Sequence, residues 1–361
     1  MEDSISTSDT FLVDDRSARE SQNYQFLHIS LDSLFFTAGD NLSGDILLNL
    51  SSRNSPSLVS LKVLGIESVK VIKPNGQTAE EQKCIFKVDS KLQQWAENTP
   101  SGQFSFPFTF KTPQFSPASF SFSSTDPEGN QIFAKVEYTI TAEFISQDQI
   151  IISSQKEITL RNKNSRLPIK KTVSAHQAIK SCFCFSQGYS TITLANEMSE
   201  HSTIGQLSNF KIDLKDSLPV SPISMVVQVI FDINLTIPGD KEYFYSTIVT
   251  RIMPNIKHEG INMAGLRFEA DLDKILYGDN PCSNDGSLFK AEYKAQVFVL
   301  YNVGCRTKKV QAELDLHVNP RIYEGEELRL PNRWSPRFGP ITNLIVENTK
   351  LINDEKNWKS A

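Results

Sequence analysis

No stretch of this chain is long and apolar enough to read as a membrane-spanning helix. Its most apolar segments, residues 223–235 and 297–303, are broken by Gln, Asp, Asn or Tyr and fall short of the roughly 20 residues a bilayer requires. A positive surplus is missing too. The net charge is -5, so no global field draws the chain to nucleic acid, and any contact with phosphate or anionic lipid has to come from a local patch. Cysteine is scarce and odd in number, with 5 residues at irregular spacing, which does not fit a secreted disulfide framework. The start, MEDSISTSDTFLVDD, has neither the basic opening nor the apolar core of a secretory signal. The expectation is a cytoplasmic protein, in which the sequons at Asn41, Asn49 and Asn234 have no glycosylation role. Residues 1–20 are acidic and poor in large apolar groups and are expected to form a disordered tail.

Catalytic and metal signatures are missing as well. There is no G-x-S-x-G, no HExxH and no phosphate loop, so the expectation is a non-enzyme without cofactors. Cys182 and Cys184 form a lone C-x-C that with Cys282, Cys305 and His201 falls short of a paired zinc spacing. On a strand they read as small core residues, and no metal is expected. The histidines at 28 and 317 fall within expected strands.

Phenylalanine, by contrast, is abundant, with 23 residues. In GQFSFPFTFKTPQFSPASF, residues 102–120, Phe104, Phe106, Phe108 and Phe110 alternate with small or polar residues. That places four rings on one face of a strand. Pro107 cannot donate to a ladder, so the strand is expected at a sheet edge or with a bulge there. Further strands are expected from residue 23, over 59–63, 65–72, 84–88 and 132–144, with tight turns at KPNG (73–76) and TDPEGN (125–130). In DSKLQQWAENT (89–99), Leu92 and Trp95 stand three apart, and the spacing predicts a short helix packed on a sheet.

Residues 161–172, RNKNSRLPIKKT, are basic and polar with no apolar period and read as a linker. A second strand-rich half follows, with strands expected at 209–214, 223–235, 243–253, 266–272, 290–303 and 309–318. Short strands in two successive blocks, with turns about every ten residues, point to an all-β chain of paired sandwiches.

These residues resemble the arrestin family. FPFTFKTPQFSPASF is similar to its phenylalanine strand and Pro-rich link, GDNLSGDILLNL (39–50) to an upstream turn and strand, and VEYTITAEF (136–144) to a downstream one. In the second half, CFSQGYSTITL and the final strands up to residue 318 are similar to the family's C-terminal domain. The resemblance implies two immunoglobulin-like antiparallel β-sandwiches, with a disordered tail 1–20, an N-domain 21–161, a linker 162–174, a C-domain 175–320 and a tail 321–361. It implies at most one short helix in the N-domain. It further implies a cytosolic adaptor that binds cytosolic tails or loops of membrane proteins, with a clathrin adaptor or ubiquitin ligase as second partner. Membrane association would be peripheral, at the plasma membrane or endosomes, and no nucleic acid is bound. The alternative is a constitutive subunit of an endosomal sorting coat, of the type of retromer's arrestin-like member. The first strand, NYQFLHISL, lacks the lysine pair of receptor-type arrestins, and the tail lacks the PPxY of α-type members, with only PRIY (320–323) near it. The chain is closer to the α-type.

Two candidate sites follow. ENTKLI (347–352) fits an acidic dileucine pattern, with Glu347, Leu351 and Ile352 as partner-binding residues, against a reading in which residues 341–346 and Leu351 pack back on the body. Arg166, Lys170 and Lys171 belong to the densest basic segment and are candidates for an anionic ligand, against a reading as a solvated linker.

Overall fold

The computed structural model describes residues 25–180, 186–254, 262–272, 281–304, 306–322, 330 and 334–346. The first half holds β1 (Phe26–Leu31), β2 (Phe35–Thr37), β3 (Asn41–Leu50), β4 (Ser57–Ile72) and β5 (Thr78–Trp95). It continues with β6 (Gly102–Lys111), β7 (Phe120–Thr125), β8 (Gln131–Ser146), β9 (Gln149–Glu157) and β10 (Thr159–Arg161). A 3-10 turn, Lys163–Arg166, follows. The second half holds β11 (Thr172–Lys180), β12 (Ser186–Asn196), β13 (Ser202–Thr203), β14 (Leu207–Asp216), β15 (Pro222–Thr236) and β16 (Glu242–Ile252). Next are β17 (Asn262–Asp271), β18 (Asn284–Asp285), β19 (Phe289–Val303), β20 (Arg306–Leu316) and β21 (Val318–Asn319). Two short strands, β22 (Arg337–Phe338) and β23 (Thr342–Asn343), come last.

The fold is all-β, with two sheets in each half. Sheet I runs β1-β3-β6, and sheet II runs β5-β4-β8-β7 with β9 also on β8. In the second half, sheet III runs β11-β12-β14-β17, and sheet IV runs β16-β15-β19 with β18 and β20 also on β19. Two small parallel pairings, β2 with β10 and β13 with β21, tie down the ends of the sandwiches.

Alternation of apolar residues drives this layout. Phe104, Phe106, Phe108 and Phe110 are all buried on the inner face of β6. Each contributes roughly 2 kcal/mol of desolvation. Trp95 meets the rings of Phe104, Phe106 and Phe144 edge-on, with centroids 5.5, 6.1 and 6.5 Å away. In the second half Phe231, Tyr293, Tyr301 and Phe210 are fully buried between sheets III and IV.

The structure corrects the expected helix at 89–99. That segment is the end of β5, which continues to Trp95. The cause is a bulge. Ser60 pairs with Lys91 and Val59 with Gln93, so Leu92 is an extra residue in the ladder. One extra residue flips the alternation of a strand, which lets two residues three apart share a face as they would on a helix. Residues 59–63 and 65–72 also join into one strand, β4, rather than two. The turns are as expected: the Gly76 N–H donates to the Lys73 carbonyl at 2.9 Å, and Asp126 accepts from the backbone N–H groups of Glu128 and Asn130.

β6 is the last full-length strand of sheet I, where a proline can be accommodated. Its outer edge meets a strap, residues 334–346. β22 pairs with Phe104 and Ser105, β23 with Phe108 and Thr109, and both pairings are parallel. The two touches flank Pro107, the position without an N–H. Trp334 packs on Phe26 at 5.6 Å, Gly339 lies against Phe106 where a Cβ would come within 2.8 Å of the ring, and Leu344 is buried. The other face of the strap is wet: Phe338, Ile341 and Ile345 are 76%, 70% and 83% exposed.

Candidate functional site: the domain junction and the cupped sheet

Strand length creates the junction. β4 and β8 have 16 residues each, and β3 and β6 have 10. At about 3.4 Å per residue, sheet II overshoots sheet I by about 20 Å. The inner face of the overhang is covered by the second half. Phe122 meets Phe231 at 5.4 Å and Tyr245 at 5.3 Å, and Phe120 meets Phe289 at 4.7 Å. Cys282 is buried there, its thiol donating to the Ser119 carbonyl at 3.2 Å, and burial pushes the thiol's pKa far up. The Asn284 amide donates to the Ala118 carbonyl at 3.0 Å.

Polar groups hold this seam in register. Glu67, on β4, is 2% exposed. Its carboxylate accepts from the Ser287 hydroxyl at 2.6 Å, the Ser287 N–H at 3.0 Å and the Leu288 N–H at 2.8 Å. Gly286 lets the loop come this close, since a Cβ there would lie 2.1 Å from the carboxylate. At the rim, Lys73 pairs with Asp240 at 2.9 Å, and Lys241 pairs with Glu128.

The outer face of the same overhang is concave. A groove of about 570 Å³ is lined by Ser68 and Lys70 from β4, Glu80 and Gln82 from β5, Ser121 and Ser123 from β7, and Phe133 and Lys135 from β8. Lys70 lies 3.9 Å from Glu80, and Lys135 pairs with Glu137. Hydroxyls, two ammonium groups and one half-exposed ring suit a polar extended segment held along the strands. Among the described residues, no three His, Cys, Asp or Glu side chains are grouped to hold a metal ion.

The basic segment is spread out rather than convergent. The Arg161 guanidinium lies 3.8 Å over the Phe35 ring, and burial lowers its pKa from the usual arginine range. Lys163 lies 3.8 Å over Phe115. Arg166 sits in the 3-10 turn with its guanidinium on Asp40. Lys170 and Lys171 are exposed just before β11. Beside them, the His201 Nε2–H donates to the Leu167 carbonyl at 2.8 Å, and the ring stands edge-on to His317 at 5.0 Å. Burial, with His201 and Arg161 nearby, lowers the His317 pKa to about 4.

Glu347, Leu351 and Ile352 lie outside the described residues, as do Cys182, Cys184, Cys305, Tyr323 and residues 1–20. Sequence reasoning missed Glu67, the groove and the first part of the strap, residues 334–340; the reading in which residues 341–346 pack back on the body agrees with β23 on β6 and with the burial of Leu344. Glu67 reads as one charge in a β-rich stretch, and its donors are 220 and 221 residues away.

Residues 27–164 match the family model of the arrestin (or S-antigen) N-terminal domain. The match begins in β1 and ends in the 3-10 turn, so it covers the first sandwich. The two-sandwich architecture is that of the arrestin fold. No protein with a curated description matches the chain.

Proposed function

We propose that the chain is an arrestin-like adaptor. It binds cytosolic segments of membrane proteins and links them to endocytic, ubiquitination or sorting machinery. The carrying observation is that its whole first sandwich matches an arrestin N-terminal domain. The cupped outer face of sheet II is the contact surface in this reading, with Ser68, Lys70 and Lys135 as hydrogen-bonding groups and Phe133 as an apolar foothold. Fold alone does not fix function, so the groove chemistry supports the partner class. The N-domain spans 21–161, the linker 162–174 and the C-domain 175–320. Lys170 and Lys171, with Arg166 beside them, give an acidic partner segment or lipid headgroup a place to land. Glu347, Leu351 and Ile352 serve as an acidic dileucine for a coat adaptor. The site is cytoplasmic, with recruitment to the plasma membrane or endosomes. A first strand without a lysine pair brings the chain nearer the α-type than the receptor-type.

Proximity labelling of the full chain in cells, beside a Lys70→Glu/Phe133→Ser variant, tests the reading. Membrane proteins should be enriched with the parent chain and depleted with the variant. Enrichment of no membrane protein, ligase or coat component overturns it. A second reading is favoured by the lack of any PPxY in the sequence: a constitutive subunit of an endosomal sorting coat. It predicts that the chain elutes from native gel filtration of lysate only in a large complex.

A further inference from the structure

β16 is the terminal strand of sheet IV, and no described strand pairs with its outer edge. It is 11 residues long. An edge of that length, whose outward N–H and C=O groups no described strand takes up, is a template for another strand. Its outward face is also apolar. Phe244 is 60% exposed and Ile248 46%, and both sit on the same side as the solvent-facing Glu242, Ser246 and Arg251.

The register decides what fits this edge. β16 pairs with β15 through Glu242↔Thr236, Phe244↔Asn234, Ser246↔Asp232 and Ile248↔Ile230. Val249 is then bulged, and the ladder resumes with Thr250↔Val229 and Arg251↔Gln228. Counted in rungs of β15, Phe244 and Ile248 lie two steps either side of Ser246. Glu242 and Arg251 lie four steps either side, because the bulge brings Arg251 one rung closer and returns it to the outward face. The strand is therefore self-complementary about Ser246. A two-fold axis there sets Phe244 opposite Ile248 of the second copy, and Glu242 opposite its Arg251. Directly opposed apolar and opposite-charge pairs are the arrangement that stabilises an antiparallel ladder, and a two-fold interface uses one patch twice.

We propose that β16 is a homodimerisation edge. Two copies pair their β16 strands antiparallel about Ser246 and join their sheets IV into one continuous sheet. The occupant is a second copy of this chain, argued from the match of apolar and charged positions under that single axis. The surface is separate from the groove on sheet II and leaves it open in each copy.

Sedimentation velocity of the purified full chain across a concentration series tests this. The parent chain should shift to twice the chain mass as concentration rises. Phe244→Lys should hold it monomeric. Glu242→Lys and Arg251→Glu should each weaken the dimer about tenfold, and the double swap should restore most of that loss, since only the swap re-forms the opposed pair. A circular dichroism melt of each variant separates loss of pairing from loss of folding. A parent chain that stays monomeric at every concentration overturns the proposal. So does a dimer that survives Phe244→Lys, or a double swap no better than the single changes.

Discussion

Glu67 in the first sandwich accepts the backbone N–H of Leu288 in the second at 2.8 Å. A buried carboxylate thereby takes its hydrogen bonds from a loop of the other half, at a point where a Cβ on residue 286 would collide with it. Hydrogen bonds to a charged group are worth about 1.5–3 kcal/mol, and a buried donor left unpaired carries its own cost.

Glu67→Ala should therefore lower stability by about 3 kcal/mol, read from denaturant unfolding followed by tryptophan fluorescence. Gly286→Ala should act in the same direction by forcing the loop off the carboxylate. Limited proteolysis of both variants should cut the segment between the sandwiches, near Leu167, faster than in the parent. An unchanged cleavage rate would mean the seam is held by its aromatic contacts and its other polar pairs without Glu67.

His317 makes stability depend on pH. Its folded pKa is about 4 against 6.5 for an ordinary histidine, so the unfolded chain binds the proton first. Stability should fall as pH drops from about 6.5 towards 4 and level off below, by up to about 3 kcal/mol. The neighbouring His201 ring and Arg161 guanidinium add to burial in disfavouring the charged form of His317. His317→Asn should flatten that window in midpoint-versus-pH measurements, and a slope unaltered by the change would rule His317 out as its source.

Asp216 is held against Tyr301, whose hydroxyl donates to its Oδ2 at 2.7 Å, while Ser190 lies 2.8 Å from the same hydroxyl. Burial raises the Asp216 pKa, and its Oδ1 is buried without a hydrogen-bond partner. The protonated acid is favoured in the folded state, so this group's stabilising contribution is present at low pH and lost as pH rises. Asp216→Asn keeps the acceptor and removes the charge. It should raise the melting temperature at neutral pH and leave it unchanged in acid. Tyr301→Phe should cost about 1–2 kcal/mol by stranding Ser190 and the Asp216 carboxyl, and the loss should be larger at neutral pH than in acid, since the lost bond favours the ionised acid.

The strap rests on few anchors. Leu344→Asp should detach it while the sandwich stays folded. Hydrogen exchange should speed up at the Gly339 and Leu344 amides, which donate to Ser105 and Thr109, and stay slow along the β3–β6 ladder. Loss of protection across that ladder as well would make the strap an integral strand of the core.

Much of the architecture is legible in the sequence because it rests on period-two alternation. β6 and β8 can be read from Phe104 to Phe110 and from Val136 to Phe144, and Pro107 marks the edge. Leu92 and Trp95 mislead because a bulge produces the spacing of a helix. The apolar patch at 341–346 lets its return to the body be read, but its partner strand and the whole of β22 escape notice, because two-residue strands have no period and their partners lie far back in the chain. Glu67 and the groove depend on how long sheet II is relative to sheet I, a property of pairing between strands and not of any one of them. Self-complementarity of β16 is likewise invisible until the bulge at Val249 fixes which side Arg251 faces.

The strap also has a place in time. β6 is made well before its cover, Arg337 to Leu344, which follows it by more than half the length of this chain. At about 5–20 residues per second, the edge of a strand carrying four buried phenylalanines stands open for on the order of ten seconds or more. Pro107 sits in the middle of that open edge and offers a stray strand no N–H to bond, only a carbonyl. The residue that splits the strap's grip in the finished protein is, for a nascent chain, a guard against pairing with its neighbours on the same message.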